Sequence, residues 1–402
     1  MQKKVLFVHD GPLYKDEFNN YYGIHFTNYL IKRYLNLGGF VTFLIRVIDI
    51  KKENAKNFTL LDSNSFDVIR VPNFKSFYKY FKTRSKAKKI ISQAILDHDI
   101  IIARLPSGIG NISVYYAQKF GKPLLAEMVA CTLDAYWYHS FKGKLIAHYS
   151  YLKQKRINKK IDFCIYVTKY FLQKRYPIRG KAINCSNVQI NNLDEEALID
   201  KISKIKNRNP NSPIILGSIG NVSIPYKGHK DVIKAMSILK QKGFKFEYQI
   251  VGQGDSSKLK QYINKKKLSK EILIRGPLKH SDIFNFIDMI DIYIHPSHTE
   301  GLPRAPIEAM SRACPVIGSD AGGTPELLSN DFIYKKRNIT QLMKLLSEIS
   351  EEKLLIESKR SFLTAKEYQK SALNQRRINF YKLFLVETSN EYLDNKKQNI
   401  KN

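Results

Sequence analysis

The feature that most constrains this chain is an alternation of short apolar runs with helix-like segments. Runs at residues 5–8, 41–47, 66–71, 100–103, 123–129 and 163–167 are each brief and almost continuously apolar. Such runs read as strands buried on both faces, which is the pattern of a parallel α/β sheet. A polar stretch rich in turn formers, 206–213, interrupts the pattern, which restarts at 214–219, 246–251, 272–274, 292–294 and 315–317. The alternation predicts two doubly wound α/β domains, over residues 1–190 and 213–370. A linker is expected at 191–212. Residues 371–402 should form a C-terminal helix packing back on the first domain, then a frayed tail. A length of 402 residues suits two lobes, because single cores stop growing beyond about 250–300 residues. Open parallel sheets bind ligands beyond the carboxyl ends of their strands, so the lobes should share a cleft there.

Composition narrows the class. With 43% hydrophobic and 12% aromatic residues, the chain can bury two cores. The amino terminus has only a short apolar run, and no stretch approaches the roughly 18 apolar residues of a membrane span, so a cytoplasmic protein is expected. Cys131, Cys164, Cys185 and Cys314 are scattered without a CxxC pair and read as reduced core residues. The net charge of +31 points to a polyanionic partner, although the excess runs through both halves of the chain. Two windows rise above it. Residues 73–91 interleave lysines with Phe74, Phe77, Tyr78, Tyr80 and Phe81. Residues 142–160 carry Lys142, Lys144, Lys153, Lys155, Arg156, Lys159 and Lys160. Either suits a helix lying on the anionic inner face of the plasma membrane; the competing reading is a solvated helix whose aromatics face the core. Nucleic acid is not an expected partner.

The densest chemistry lies in His295-Pro-Ser-His-Thr-Glu300-Gly-Leu-Pro-Arg304-Ala-Pro-Ile-Glu308-Ala-Met-Ser-Arg312-Ala-Cys-Pro-Val-Ile-Gly-Ser-Asp320-Ala-Gly-Gly323-Thr-Pro-Glu326. A buried strand runs into a loop bearing Glu300 and Gly301, and a helix starting near Pro303 carries Glu308. Gly301 allows close backbone approach to a ligand. The helix start offers unpaired amides and a positive dipole end, which favour a diphosphate. The two carboxylates flanking it can each accept hydrogen bonds from sugar and ribose hydroxyls.

Glu300 and Glu308, in this order and setting, resemble the E-x7-E motif of the retaining family 4 glycosyltransferases, within the family's "PS..EGLP...EAM...PVI.SD.GG..E" pattern. The resemblance covers about residues 214–328 well and the first domain loosely. It implies the GT-B fold, two Rossmann-like doubly wound parallel-sheet domains facing a central cleft. It also implies transfer of a hexose or N-acetylhexosamine from a nucleotide-diphosphate sugar, UDP-sugar before GDP-sugar, to a hydroxyl of a saccharide or lipid-linked saccharide, as in bacterial capsule or O-antigen synthesis. Upstream, Gly220-Asn221 and Lys227-Gly228 resemble the family's "GR.....KG" loop, whose cations hold the diphosphate. Asn221 stands where the family has arginine, and Arg304 is the nearby replacement for its charge. The resemblance makes Glu300 and Lys227 catalytic, with Glu308, Gly301, Leu302, Asn221, Gly220 and Arg304 on the donor. It adds Gly252, in a strand–Gly-x-Gly turn, and Gly276 and Leu278, in the loop lining the base.

The first domain offers fewer signals. Gly11 and Gly23, after the first strand and at the head of a helix expected over 23–37, stand where relatives carry a glycine-rich loop. Arg104, Glu127 and His139 are acceptor-side candidates. Asp97-His98-Asp99 resembles a metal-binding D-x-D, but its place before a buried strand reads as a turn, and no metal is expected because lysine and a helix start take the cation's role. No Gly-x-Ser-x-Gly marks a hydrolase. Two alternatives remain: a sugar-nucleotide epimerase of the same fold, and a non-catalytic basic binder of membranes or nucleic acid.

Overall fold

A computed structural model of the chain describes residues 2–24, 26–55, 58–62, 64, 66–74, 80–139, 141–191 and 193–400. Its first sheet comprises β1 (Lys4–Lys15), β2 (Tyr21–Gly23), β3 (Phe40–Asp49), β4 (Thr59–Leu60), β5 (Phe66–Arg70), β6 (Ile100–Leu105), β7 (Leu124–Met128), β8 (Phe163–Tyr166) and β9 (Lys181–Asn184). The parallel strands run in the order β5-β3-β1-β6-β7-β8-β9, with β2 antiparallel to β1 and β4 antiparallel to β2. The sheet's helices are α1 (Asn28–Tyr34), α2 (Tyr80–Leu96), α3 (Gly108–Lys119), α4 (Thr132–His139), α5 (Phe141–Asn158) and α6 (Phe171–Arg175). The central strands are apolar throughout because both faces are covered: Val5 to Val8 and Ile100 to Ala103 are all essentially inaccessible.

After α7 (Glu195–Lys206), a second sheet forms from β10 (Ile214–Ile219), β11 (Phe246–Val251), β12 (Ile272–Gly276), β13 (Ile292–His295), β14 (Val316–Ser319) and β15 (Ile333–Tyr334). It is parallel, in the order β12-β11-β10-β13-β14-β15. Helices α8 (His229–Gln241), α9 (Ser257–Lys265), α10 (His280–Met289), α11 (Arg304–Ser311), α12 (Ile339–Ser347) and α13 (Glu351–Lys366) cover it. The last helix, α14 (Lys370–Ile400), returns to the first sheet, where Phe380 and Phe384 pack on Phe163 with ring centroids 6.0 and 5.2 Å apart. All four cysteines are buried and unpaired.

Two local expectations are corrected. The first strand does not stop at residue 8: its register with β3 shifts between Val8 and Pro12 and then resumes to Lys15, so Gly11 lies in a bulged strand. The helix expected over 23–37 is only α1, because Gly23 still pairs with β4. The expected linker, 191–212, contains a helix. Asp194 accepts from the Glu196 amide and starts α7, whose Lys201 and Lys204 donate to carbonyls of residues 287–290.

Candidate functional site

Strand order locates the site. In the second sheet β10 leads to β11 and β12 on one side, and the chain then crosses to β13 on the other, so the sheet's crevice opens between the loops that follow β10 and β13. Those are the loops that carry Lys227 and Glu300. The first closes as a short turn, Pro225–Lys227, and Gly228 begins α8 at a φ of 76°. A Cβ there would sit 1.9 Å from the Pro296 carbonyl oxygen, so only glycine lets the two loops close on each other. The second loop follows His295 and Pro296 and ends where extended Pro303 starts α11; Pro306 lies in the first turn, where a missing N–H costs no intrahelical bond.

At this junction Lys227 Nζ donates to Glu300 Oε1 at 2.7 Å, and His295 Nε2 lies 3.3 Å from the same oxygen. The side chains of Lys227 and Glu300 keep 24% and 14% exposure, so a ligand can reach both. Burial opposes ionisation of Glu300, but Lys227 and His295 outweigh it and hold the carboxyl well below the usual range. Behind them His229 is buried, with Nδ1 2.9 Å from the Tyr248 hydroxyl, which donates to Ser218 Oγ at 2.8 Å. Burial first, and then Lys227 and His295, push His229 down to about 4, so its ring is neutral at pH 7. Tyr293 spans the crevice floor: its hydroxyl accepts from the Ile219 amide at 3.2 Å. Burial, with backing from the charges of Glu308 and Glu300, raises its phenol well above the ordinary value. The amides of Gly301 and Leu302 donate to no backbone group among the described residues.

The other residues expected on the donor differ in what they do in the structure. Asn221 accepts from Ser223 N at 2.9 Å and Ser223 Oγ at 2.7 Å, so it shapes its own loop. Gly252 presses on the next loop, where a Cβ would lie 1.8 Å from the Gly220 carbonyl oxygen. Gly276 has a φ of 78° and open space around it, while Leu278 packs against the core. Gly301 is used differently from the expectation: a Cβ on it would meet the Val129 carbonyl oxygen of the first lobe at 2.2 Å. Its missing side chain therefore brings the two lobes together.

On the first-lobe side, Arg104 and Glu127 form a buried ion pair, with Arg104 Nη2 and Nε donating to Glu127 Oε2 at 2.7 and 2.9 Å. Tyr34 donates to Glu127 Oε1 at 2.9 Å. Burial opposes the charge on Glu127, but Arg104 and Arg33 keep it ionised. Gly11 packs against the His9 and Phe26 rings, and Gly23 against the Phe26 carbonyl, so both serve local packing. His139 ends α4, and its side chain lies outside the described residues, as do 75–79 of the first basic window. Asp99 accepts from the Lys4 amide and Asp97 from Gln93, as turn residues do.

Sequence reasoning missed several partners. A cavity of 280 Å³ between the lobes is lined by Arg33, Arg104 and Val129 from one side and by Leu302 and Arg304 from the other. Arg304 thus faces the first lobe. Arg33 is 7% exposed, donates to Asn187 Oδ1 at 2.7 Å and leaves Nε without a partner. Nothing in the local sequence of α1 marks it. His295, by contrast, is the last residue of a buried strand beside Glu300, a place from which a site residue could have been read.

A sequence profile of the family described as glycosyl transferases group 1 matches residues 199–368. Protein CapJ of Staphylococcus aureus is 32% identical over 355 residues, which span 86% of this chain and 85% of CapJ. The amylovoran biosynthesis glycosyltransferase AmsK of Erwinia amylovora is 38% identical over 112 residues, 26% of this chain and 28% of AmsK. Among solved structures, Anabaena HepE in complex with UDP-glucose shares the fold with a TM-score of 0.62 at 16% identity, covering 94% of this chain and 98% of HepE.

Proposed function

The chain belongs to the glycosyl transferases group 1 family, and from that premise we propose that it transfers a hexose or N-acetylhexosamine, with retention of anomeric configuration, from a nucleoside-diphosphate sugar to an acceptor hydroxyl. The observation that carries this reading is the Lys227–Glu300 contact of 2.7 Å at the switch point of the second sheet. An arriving diphosphate shares the Lys227 ammonium and the amides of Gly301 and Leu302. These groups stabilise the charge that develops as the sugar–phosphate bond breaks. Glu300 stays ionised and accepts from the sugar's hydroxyls, Glu308 accepts from the ribose, and closure of the lobes excludes water. We assign Asn221 to loop shape and Arg304, with Arg33 and Arg104, to the acceptor side of the cavity.

A UDP-sugar is the favoured donor, ahead of a GDP-sugar; HepE, which shares the fold, was solved with UDP-glucose. AmsK, by its name an amylovoran biosynthesis enzyme, supports a role in assembling bacterial surface polysaccharide. A lipid-linked saccharide at the inner membrane face suits the basic surface of the first lobe.

The test is a panel of sugar nucleotides. One of them should raise the unfolding midpoint of the purified chain and be consumed with an acceptor extract. Glu300→Gln should keep the fold and lose turnover by about 10²–10³-fold. Stabilisation by none of them, or full turnover in Glu300→Gln, would sink the reading.

A further inference from the structure

Helix α5 is built inside out. Its inward stripe is Gly143, Ala147, Gln154 and Asn158, with Gln154 donating to Asn158 Oδ1 at 2.8 Å and Asn158 donating to the Tyr176 carbonyl at 3.3 Å. Its large apolar residues point away from the protein: Phe141 is 78% exposed, Leu145 75%, Tyr149 68% and Leu152 50%. Their spacing of four, four and three puts them on one helical face. A helix that only had to pack on its own core would show the reverse arrangement, and α2 does, burying Ala87, Ile91, Ala94 and Ile95 while Lys86, Lys88 and Lys89 face solvent. The apolar face of α5 is therefore unpartnered.

Charge decides what covers it. Lys142, Lys144, Lys153, Arg156, Lys159 and Lys160 are all exposed around this face, and no acidic residue occurs between Asp134 and Asp162. None of the six forms an ion pair among the described residues. A second copy of the chain, docked by two-fold symmetry, would set this cationic face against itself. Next to it on α4 sit exposed Tyr136 and Trp137, with Lys144 5.7 Å from the Trp137 ring centroid. Apolar side chains, interfacial aromatics and a surround of lysine are the composition that a negatively charged bilayer takes up.

We propose that the outer face of the α4–α5 hairpin seats the protein on an anionic lipid bilayer. The position deepens the proposed function and rests on it for its purpose only. α4 begins three residues after Val129, which packs on Gly301, and its Tyr138 ring lies 5.0 Å from both Lys336 and Arg337 of the second lobe. Eight helical residues, about 12 Å, thus connect the cleft to the lipid-facing end. An acceptor whose tail stays in the bilayer is delivered beside the donor.

Trp137 is the chain's single tryptophan and so reports on this face alone. The full chain is titrated with vesicles of phosphatidylcholine, with and without about one-third phosphatidylglycerol, and followed by fluorescence and flotation. Anionic vesicles should shift the emission to the blue and carry the protein upward, and neutral ones should not. Phe141→Glu with Leu145→Glu, and separately Lys142→Glu with Lys153→Glu, should weaken partition at least about tenfold while leaving stabilisation by the sugar nucleotide intact. Equal binding to neutral vesicles, no binding to anionic ones, or a concentration-dependent dimer abolished by the first pair would each overturn the proposal. Loss of nucleotide stabilisation in the wild type would fault the donor reading instead.

Discussion

At the scale of single residues, the site is a set of charges held by burial. Lys227 meets Glu300 because two loops are locked together at Gly228, and His229 lies directly behind that contact. Its ring, hydrogen-bonded to Tyr248 and beside Lys227, resists protonation, with a value near 4 against the ordinary 6.5 or so. The unfolded chain therefore takes up a proton on this residue between pH 6.5 and 4 while the folded chain does not. Stability from this source is fully present above about pH 6.5 and is lost as pH falls, by on the order of 2 kcal/mol at pH 5. Thermal unfolding from pH 7 to pH 5 should show a fall in midpoint that is visibly shallower in His229→Gln. Identical slopes would mean that the imidazole is not the titrating group. Neither the depressed value nor its cause is visible in the His229-Lys230-Asp231 context, because Tyr248 and His295 arrive from other strands.

Among elements, the lobes are joined by a helix cap that crosses between them. The Glu326 carboxylate accepts from the amides of Lys169, Tyr170 and Phe171 at 2.5, 3.1 and 2.7 Å, at the start of α6. A carboxylate belongs there on helix-dipole grounds, and it ends the same motif that carries Glu300 and Glu308. Removing such a cap costs about 1–2 kcal/mol. Glu326→Ala should lower the urea unfolding free energy by that amount, and Glu326→Gln, which retains an acceptor oxygen, should restore part of it. An unchanged free energy in the alanine variant would show that the cap contributes nothing to the junction.

For the whole molecule, the chain crosses between the lobes twice, and the two crossings touch. Ile190 bridges Gln369 in parallel, and the Lys370 amide donates to the Ile190 carbonyl at 2.8 Å. α14 then anchors the second crossing on the first sheet through Phe380, Phe384 and Arg377, whose Nη2 donates to the Ser186 carbonyl at 3.0 Å. Phe384 is fully buried, so Phe384→Ala should cost about 3–5 kcal/mol. Calorimetry should register the loss in the transition that includes the first lobe, with nucleotide stabilisation of the second lobe retained. A variant as stable as the parent would mean that the returning helix is merely laid against the surface.

Local order along the chain determined the α/β class, the double start of the alternation, and the loop and helix start that hold Glu300, Gly301 and Glu308. Each depends on neighbours in sequence: a buried strand must be apolar, and a tight turn or helix start needs particular residues within a few positions. Folding alone decided the rest. Gly301 is small for Val129, Glu326 caps a helix of the other lobe, Arg33 enters the cleft from α1, and α5 turns its apolar stripe outward. Periodicity states which side chains share a face of a helix or strand. Which of those faces meets the core, and which distant group stands opposite, is settled only when the elements pack.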